Sequence, residues 1–176
     1  MEIALLLAAF VAVFGLVHRL LGYATGRGLL DVPNARSSHA VPTPRGGGLA
    51  IALVVLAALP VMGGLGWVTW TTVAALAGAG LLVTLVGWRD DHVDVPAGWR
   101  LVAHAVAAGW GLAWLGGLPP LVVLGTPMDL GWVGDALAWL FLVWLLNLYN
   151  FMDGIDGIAA IEALTVGFAM AVLTAL

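Results

Sequence analysis

Long uncharged apolar runs alternate with short polar segments along all 176 residues, and the lengths of those runs set the architecture. A membrane-spanning helix needs about 20 mainly apolar residues. The stretch from Ile3 to Leu21 supplies the first. The 43 uncharged residues from Gly46 to Trp88 are too many for one crossing, and Pro60, Gly63, Gly64 and Gly66 divide them near 48–63 and 67–88. Further runs near 98–118, 133–151 and 157–176 bring the total to six. The pattern predicts an all-α, polytopic transmembrane helix bundle, with residues 1–176 forming a single membrane domain.

Composition sharpens this picture. Hydrophobic residues make up 62% of the chain and charged residues 9%, where a soluble domain carries about a quarter charged. Mean hydropathy is +1.08. With no Cys, disulfides and thiolate metal sites are excluded. No Lys is present either, so the fixed positive charges are Arg19, Arg27, Arg36, Arg45, Arg89 and Arg100. A net charge of −4 says little, because in a membrane protein placement outweighs the sum; no nucleic-acid partner is expected.

Arginine placement orients the bundle. With the N-terminus outside, segments 22–47, 89–97 and 152–156 face the cytoplasm, and the Arg residues lie in or beside the first two. The outer connections at 63–67 and 118–133 carry none, and the second has only Asp129 and nearby Asp135. This satisfies the positive-inside rule. Trp67, Trp70, Trp114 and Trp132 then fall at the outer interface and Trp88 and Trp99 at the inner one, as amphipathic rings should. Glu2 and the position of Arg19, after the apolar run, argue against a cleaved signal peptide.

The three cytoplasmic segments hold the unusual chemistry. The first, Asp31-Val-Pro-Asn-Ala-Arg-Ser-Ser-His-Ala-Val-Pro-Thr-Pro-Arg-Gly-Gly-Gly48, is stiffened by three prolines. Arg36, His39 and Arg45 offer donors, and Gly46, Gly47 and Gly48 let backbone N–H groups approach an anion such as a phosphate. A nucleotide P-loop is excluded, since this chain has no Lys to end one. Close helix packing is an alternative role for the glycines, and surface anchoring for the two Arg.

In the second segment, Asp90 and Asp91 are adjacent. Like charges 4 Å apart at an effective dielectric near 20 repel by about 4 kcal/mol, so a nearby cation would relieve the pair. Hard divalent ions, magnesium above all, share one or two carboxylates with substrate phosphates. Two solvated loop carboxylates are the plainer reading, and the one taken for Asp94.

The third segment is Asn147-Leu-Tyr-Asn-Phe-Met-Asp-Gly-Ile-Asp-Gly157. Residues three apart are neighbours on a helix, so Asn147, Asn150 and Asp153 form a staircase of oxygen ligands, with Asp156 beyond. His18 and His92 read as interfacial and loop residues. His104, one turn after Arg100, points inward with it, either toward substrate or into a polar packing site. All three segments face one side, so their oxygens and Arg groups can share one cleft.

Together these segments resemble the successive signatures of the polyprenyl-phosphate N-acetylhexosamine-1-phosphate transferases, glycosyltransferase family 4. The Arg-Ser-Ser-His and Pro-Thr-Pro-Arg-Gly-Gly-Gly wording is similar to the bacterial branch that initiates O-antigen, lipopolysaccharide and related cell-envelope polymers. The resemblance implies an enzyme of the bacterial inner membrane, with its active face in the cytoplasm. It would transfer N-acetylhexosamine-1-phosphate from a UDP-N-acetylhexosamine to a polyprenyl phosphate and release UMP. It implies a magnesium cofactor, with manganese as an alternative. Asp90 and Asp91 resemble the family's catalytic pair, one of which would deprotonate or orient the lipid phosphate. Asn150, Asp153 and Asp91 would serve the metal, and Arg36, His39, Arg45, Gly46, Gly47, Asn147 and Asp156 the substrates.

Two departures stand beside it. The family often carries Gln where His104 stands. Its second half, with a further metal-binding Asp and a His-rich loop, has no counterpart here. The chain is therefore expected to be the N-terminal part of a longer transferase domain, inactive alone, and a homo-oligomer is one way to cover Arg100, His104 and Glu162. The competing classes are a transporter or ion-pathway fragment and a non-catalytic membrane scaffold.

Overall fold

The computed structural model describes residues 2–33, 40–152 and 157–175. Among them are six helices in chain order: α1 (Glu2–Arg27), α2 (Gly47–Gly64), α3 (Trp70–His92), α4 (Ala97–Leu115), α5 (Gly131–Met152) and α6 (Ile158–Ala175). Each packs on the next, and the α3–α4 pairing is the most extensive. The all-α polytopic bundle expected from the pattern is present. By length and composition α1, α2, α3 and α5 can each cross a membrane. Arg100, His104 and three tryptophans make α4 more polar, and the apolar part of α6 is shorter.

Boundaries differ where the chain's local chemistry overrides hydropathy. The first helix continues past Leu21 to Arg27. In α2 the chain stays helical through Pro60, and the break comes at Gly66, which adopts φ 72°. Thr69 then caps α3, its hydroxyl accepting the Thr72 N–H at 3.1 Å. Two short antiparallel hairpins replace what hydropathy reads as plain loops. Strands β1 (Leu30–Asp31) and β2 (Thr43–Pro44) pair at the start of α2, and β3 (Leu121–Val123) and β4 (Thr126–Met128) pair between α4 and α5.

The buried positions are mostly small: Ala24, Ala50, Ala75, Ala107 and Ala108, with Leu59, Val73 and Val143. Large apolar side chains lie on the outside of the helices. That is the inverse of a water-soluble bundle, and it follows from packing in lipid, where close backbone approach replaces hydrophobic burial. A β-carbon at Gly63 would lie 2.9 Å from Val73 Cγ2, so this glycine lets α3 close on α2.

Two tryptophans absent from the interfacial pattern join helices instead. The Trp110 indole N–H donates to the Ala74 carbonyl of α3 at 2.9 Å, and the Trp139 indole N–H donates to the Ala105 carbonyl of α4 at 2.8 Å. Each accepting carbonyl lies four residues before a glycine, Gly78 and Gly109. A β-carbon at Gly78 would collide with the Trp110 indole, and one at Gly109 would lie 3.6 Å from the Trp139 nitrogen. At Gly78 the missing side chain makes room for the indole, whereas at Gly109 a side chain would meet Trp139 at ordinary contact distance.

Candidate functional site

Where α2 and α4 begin and α3 and α5 end, a cavity of about 810 Å3 opens. The β1–β2 hairpin forms one wall. Its register sets Asp31 opposite Thr43, and the Arg45 Nη2 donates to Asp31 Oδ1 at 2.7 Å. Gly46 turns the chain into α2 with φ 91°. A β-carbon there would lie 3.7 Å from Asp91 Oδ2, an ordinary contact, so the backbone angle and not space calls for glycine. The first turn of α2 lines the cavity through Gly47 and Gly48, and N–H groups at such a terminus lack intrahelical partners.

The last turn of α3 supplies Asp90 and Asp91. Adjacent helical residues diverge by about 100°, and the two carboxylates serve different partners. Asp90 is fully engaged: its Oδ1 accepts the Val95 N–H at 2.8 Å and its Oδ2 accepts from Arg100 Nη1 at 2.9 Å. This clasp fixes the short link between α3 and α4. Asp91 faces Gly46 and acts on the charge of Arg45. Asp94 stands on the rim, fully exposed, 4.0 Å from Arg45 Nη1.

Arg45 is the electrostatic centre. Its pKa is raised above the ordinary value, first of all by the hydrogen bond to Asp31; burial is the next effect and opposes it, and the charges of Asp31, Asp91 and Asp94 add to the rise. The opposite wall carries Arg100 from α4 and Asn150 from the last turn of α5. Four aspartates thus face two arginines around the cavity, leaving an excess of negative charge beside a helix N-terminus. Such a lining offers oxygen donors of the kind a hard cation takes, the carboxylate of Asp91 and the amide oxygen of Asn150 among them, beside N–H and guanidinium donors of the kind an anion takes. Among the described residues no three His, Asp or Glu side chains form a ready-made metal cage.

The profile of Glycosyl transferase family 4 matches residues 73–176. The chain is 34% identical over 152 residues to the decaprenyl-phosphate N-acetylglucosaminephosphotransferase of Mycobacterium leprae, covering 81% of this chain and 38% of that protein. It is 33% identical over 157 residues to the protein of the same name in Mycolicibacterium smegmatis, covering 84% and 38%. It is also 30% identical over 145 residues to the probable undecaprenyl-phosphate N-acetylglucosaminyl 1-phosphate transferase of Bacillus subtilis, covering 76% and 37%. The chain belongs to glycosyltransferase family 4. It spans less than two fifths of the length of these curated relatives. No solved structure matches it.

Of the residues that the family resemblance nominates, Asp90, Asp91, Arg45, Gly46, Gly47 and Asn150 line the one cavity. Arg36, His39, Asp153 and Asp156 lie outside the described residues. Asn147 differs from the staircase expectation. It is not among the lining residues, and its amide nitrogen donates back to the Val143 carbonyl at 2.7 Å. One turn deeper in the apolar helix, an amide has no water to bond and turns to its own backbone. His104 is buried away from the cavity lining, its Nδ1 without a hydrogen-bond partner among the described residues. Arg100, expected to lack a partner, has one in Asp90.

Family reasoning passed over Asp31 and Arg100, while Asp94, read as a solvated carboxylate, is fully exposed on the rim. The pairings Asp31 with Arg45 and Asp90 with Arg100 span 14 and 10 residues. Only equal numbers of opposite charges near each end of a loop could have signalled them.

Proposed function

We propose that this chain forms the phosphate-handling face of a polyprenyl-phosphate N-acetylhexosamine-1-phosphate transferase, open to the cytoplasm at the bacterial inner membrane. The observation that carries this is the cavity joining Asp91, Arg45, the glycine start of α2 and Asn150. The names of the relatives supply the substrate class: a polyprenyl phosphate as acceptor and an N-acetylglucosamine phosphate as the group moved.

In the proposed reaction, an oxygen of the lipid phosphate attacks the sugar-linked phosphorus of a UDP-N-acetylhexosamine. The new P–O bond forms as the bond from that phosphorus to the UMP oxygen breaks, and UMP leaves. Phosphoryl transfer of this kind asks the protein for alignment and charge neutralisation more than for covalent chemistry. Arg45 and the α2 N–H groups neutralise phosphate oxygens. Asp91 orients the acceptor phosphate and takes its proton where one is present. Asp90 positions that helical turn through Arg100 and Val95. A magnesium ion, with manganese as a substitute, would be held by Asp91 and Asn150 together with water and phosphate, and would supply further charge neutralisation at the diphosphate.

The test is to graft this chain in place of the matched segment of the Mycolicibacterium smegmatis relative and assay membranes with UDP-N-acetylglucosamine and polyprenyl phosphate. UMP release and lipid-linked sugar that vanish on Asp91→Asn are the expected result. A graft that inserts correctly yet turns nothing over would overturn the reading.

A further inference from the structure

The β3–β4 hairpin lies at the end of the bundle opposite the cavity, between α4 and α5. Its sequence, Leu121-Val-Val-Leu-Gly-Thr-Pro-Met128, has no charge. All six strand residues are exposed. A two-stranded ribbon in water turns a polar face outward, and this one has an apolar side chain on both.

The tip makes the point more sharply. Leu124 and Gly125 have φ of 50° and 83°, a two-residue turn with both central residues left-handed. Such turns are the province of Asn, Asp and Gly. A leucine there is strained, and it is wholly exposed, at 102% of its reference area. The strand register imposes this turn on the backbone, but it does not account for an apolar side chain at its exposed tip.

The carboxylates near the connection are spent at its roots. Asp135 Oδ1 accepts the Leu118 N–H at 2.7 Å and Asp129 Oδ1 accepts the Gly131 N–H at 2.8 Å. The register pairs Val122 with Pro127, next to the turn-flanking pair. At that non-hydrogen-bonded position an N–H points away from the partner strand, and Pro127 has none. Trp114 and Trp132, both exposed, flank the connection on the two helices, as rings do at a bilayer interface. The hairpin thereby continues the lipid-facing surface of α4 and α5.

We propose that the β3–β4 hairpin seats in the headgroup and upper acyl region of the leaflet opposite the cavity, with Leu124 as its lipid-contacting anchor. Interfacial depth suits it, since the open strand edges forbid the hydrocarbon core. The occupant is lipid, and the inference does not depend on the proposed transferase activity.

Because the chain has no Cys, single Cys residues can be placed at Leu124, at Thr126 as a second position, and at exposed Ala40 as an aqueous control. Each is labelled with an environment-sensitive fluorophore in phosphatidylcholine and phosphatidylglycerol vesicles. At Leu124 and Thr126, quenching by lipid spin-labelled high on the acyl chain should exceed quenching by aqueous iodide at least two-fold, and the order should reverse at Ala40. Dominant iodide quenching at both hairpin positions would place the ribbon in water and overturn the proposal. Quenching by neither agent would overturn it too, by showing a protein cover, either a second copy or another segment.

Discussion

Asp90 Oδ2 accepts from Arg100 Nη1 at 2.9 Å, so the last turn of α3 is tied to the first turn of α4 by a charged pair mostly out of solvent. The neighbouring carboxylate, Asp91, faces the cavity. Substituting the two should separate structure from chemistry. Asp90→Asn weakens the clasp and is expected to lower unfolding stability by about 1–3 kcal/mol, read from denaturant or thermal unfolding in detergent. Asp91→Asn should remove transfer in the grafted enzyme while leaving the Asp90 clasp between α3 and α4 in place. Loss of transfer as complete in Asp90→Asn as in Asp91→Asn, with no loss of stability in the former, would contradict the division of roles.

Gly78 and Trp110 should behave as a unit. Trp110→Phe deletes one interhelical hydrogen bond, a loss of about 0.6–1.7 kcal/mol in a membrane protein. Gly78→Ala drives a methyl into the indole and should cost about 1–3 kcal/mol. With Trp110→Phe already in place the alanine should cost less, because the obstructing nitrogen is gone. Strict additivity in the double mutant would argue against the contact.

Arg45 should stabilise the hairpin independently of pH in the working range. Its partners raise its pKa, so its contribution is fully present below the unfolded value and is lost only as pH rises through the higher folded one. The stability gap between wild type and Arg45→Gln should therefore stay constant between about pH 6 and pH 9. Because the pair is over a third exposed on the Arg side, that gap should be only about 0.5–1 kcal/mol. A gap that closes in this range would point to a titrating group other than Arg45.

The helical architecture was legible because hydropathy in a bilayer is a length measurement, and six apolar runs gave six helices. The two hairpins were not. Leu121–Met128 is as apolar as its flanks, and Thr43-Pro44 offers no alternation for a two-residue strand. The Trp110 and Trp139 clasps were hidden because a Trp in an apolar run looks like any other, and only the Gly four residues beyond a distant carbonyl gives the acceptor away. Within the site, Asp91 and Asn150 could be read from local spacing. The roles of Asp31 and Arg100 depend on contacts made by folding, which no local pattern encodes.

Orientation offers a direct check. If the cavity faces the cytoplasm, a membrane-impermeant thiol reagent should label a Cys at Ala40 only after permeabilisation, and a Cys at exposed Pro119, on the opposite side, in intact cells. The reverse pattern would place the phosphate-handling face outside and remove its access to a cytosolic nucleotide sugar.

The Asp90 dependence of metal activation is a further check. Chelation of divalent ions should stop transfer, and added magnesium should restore it. Asp90→Asn should keep a magnesium requirement close to that of the wild type, because its two oxygens already serve Arg100 and Val95. A large rise in the magnesium concentration needed would make Asp90 a ligand.

The chain of Trp clasps also bears on how the molecule would come apart under load. α5 is fastened to α4 and α4 to α3 by an indole seated on a backbone carbonyl, whereas α6 makes only a light contact with α5. Pulled from the C-terminal end out of a bilayer, α6 should release at low force, α5 should resist until its indole fastener and the packing around it yield, and α4 with α3 should leave together, ahead of α2 and α1. The strongest of these joints thus depends on Gly78, a residue with no side chain at all.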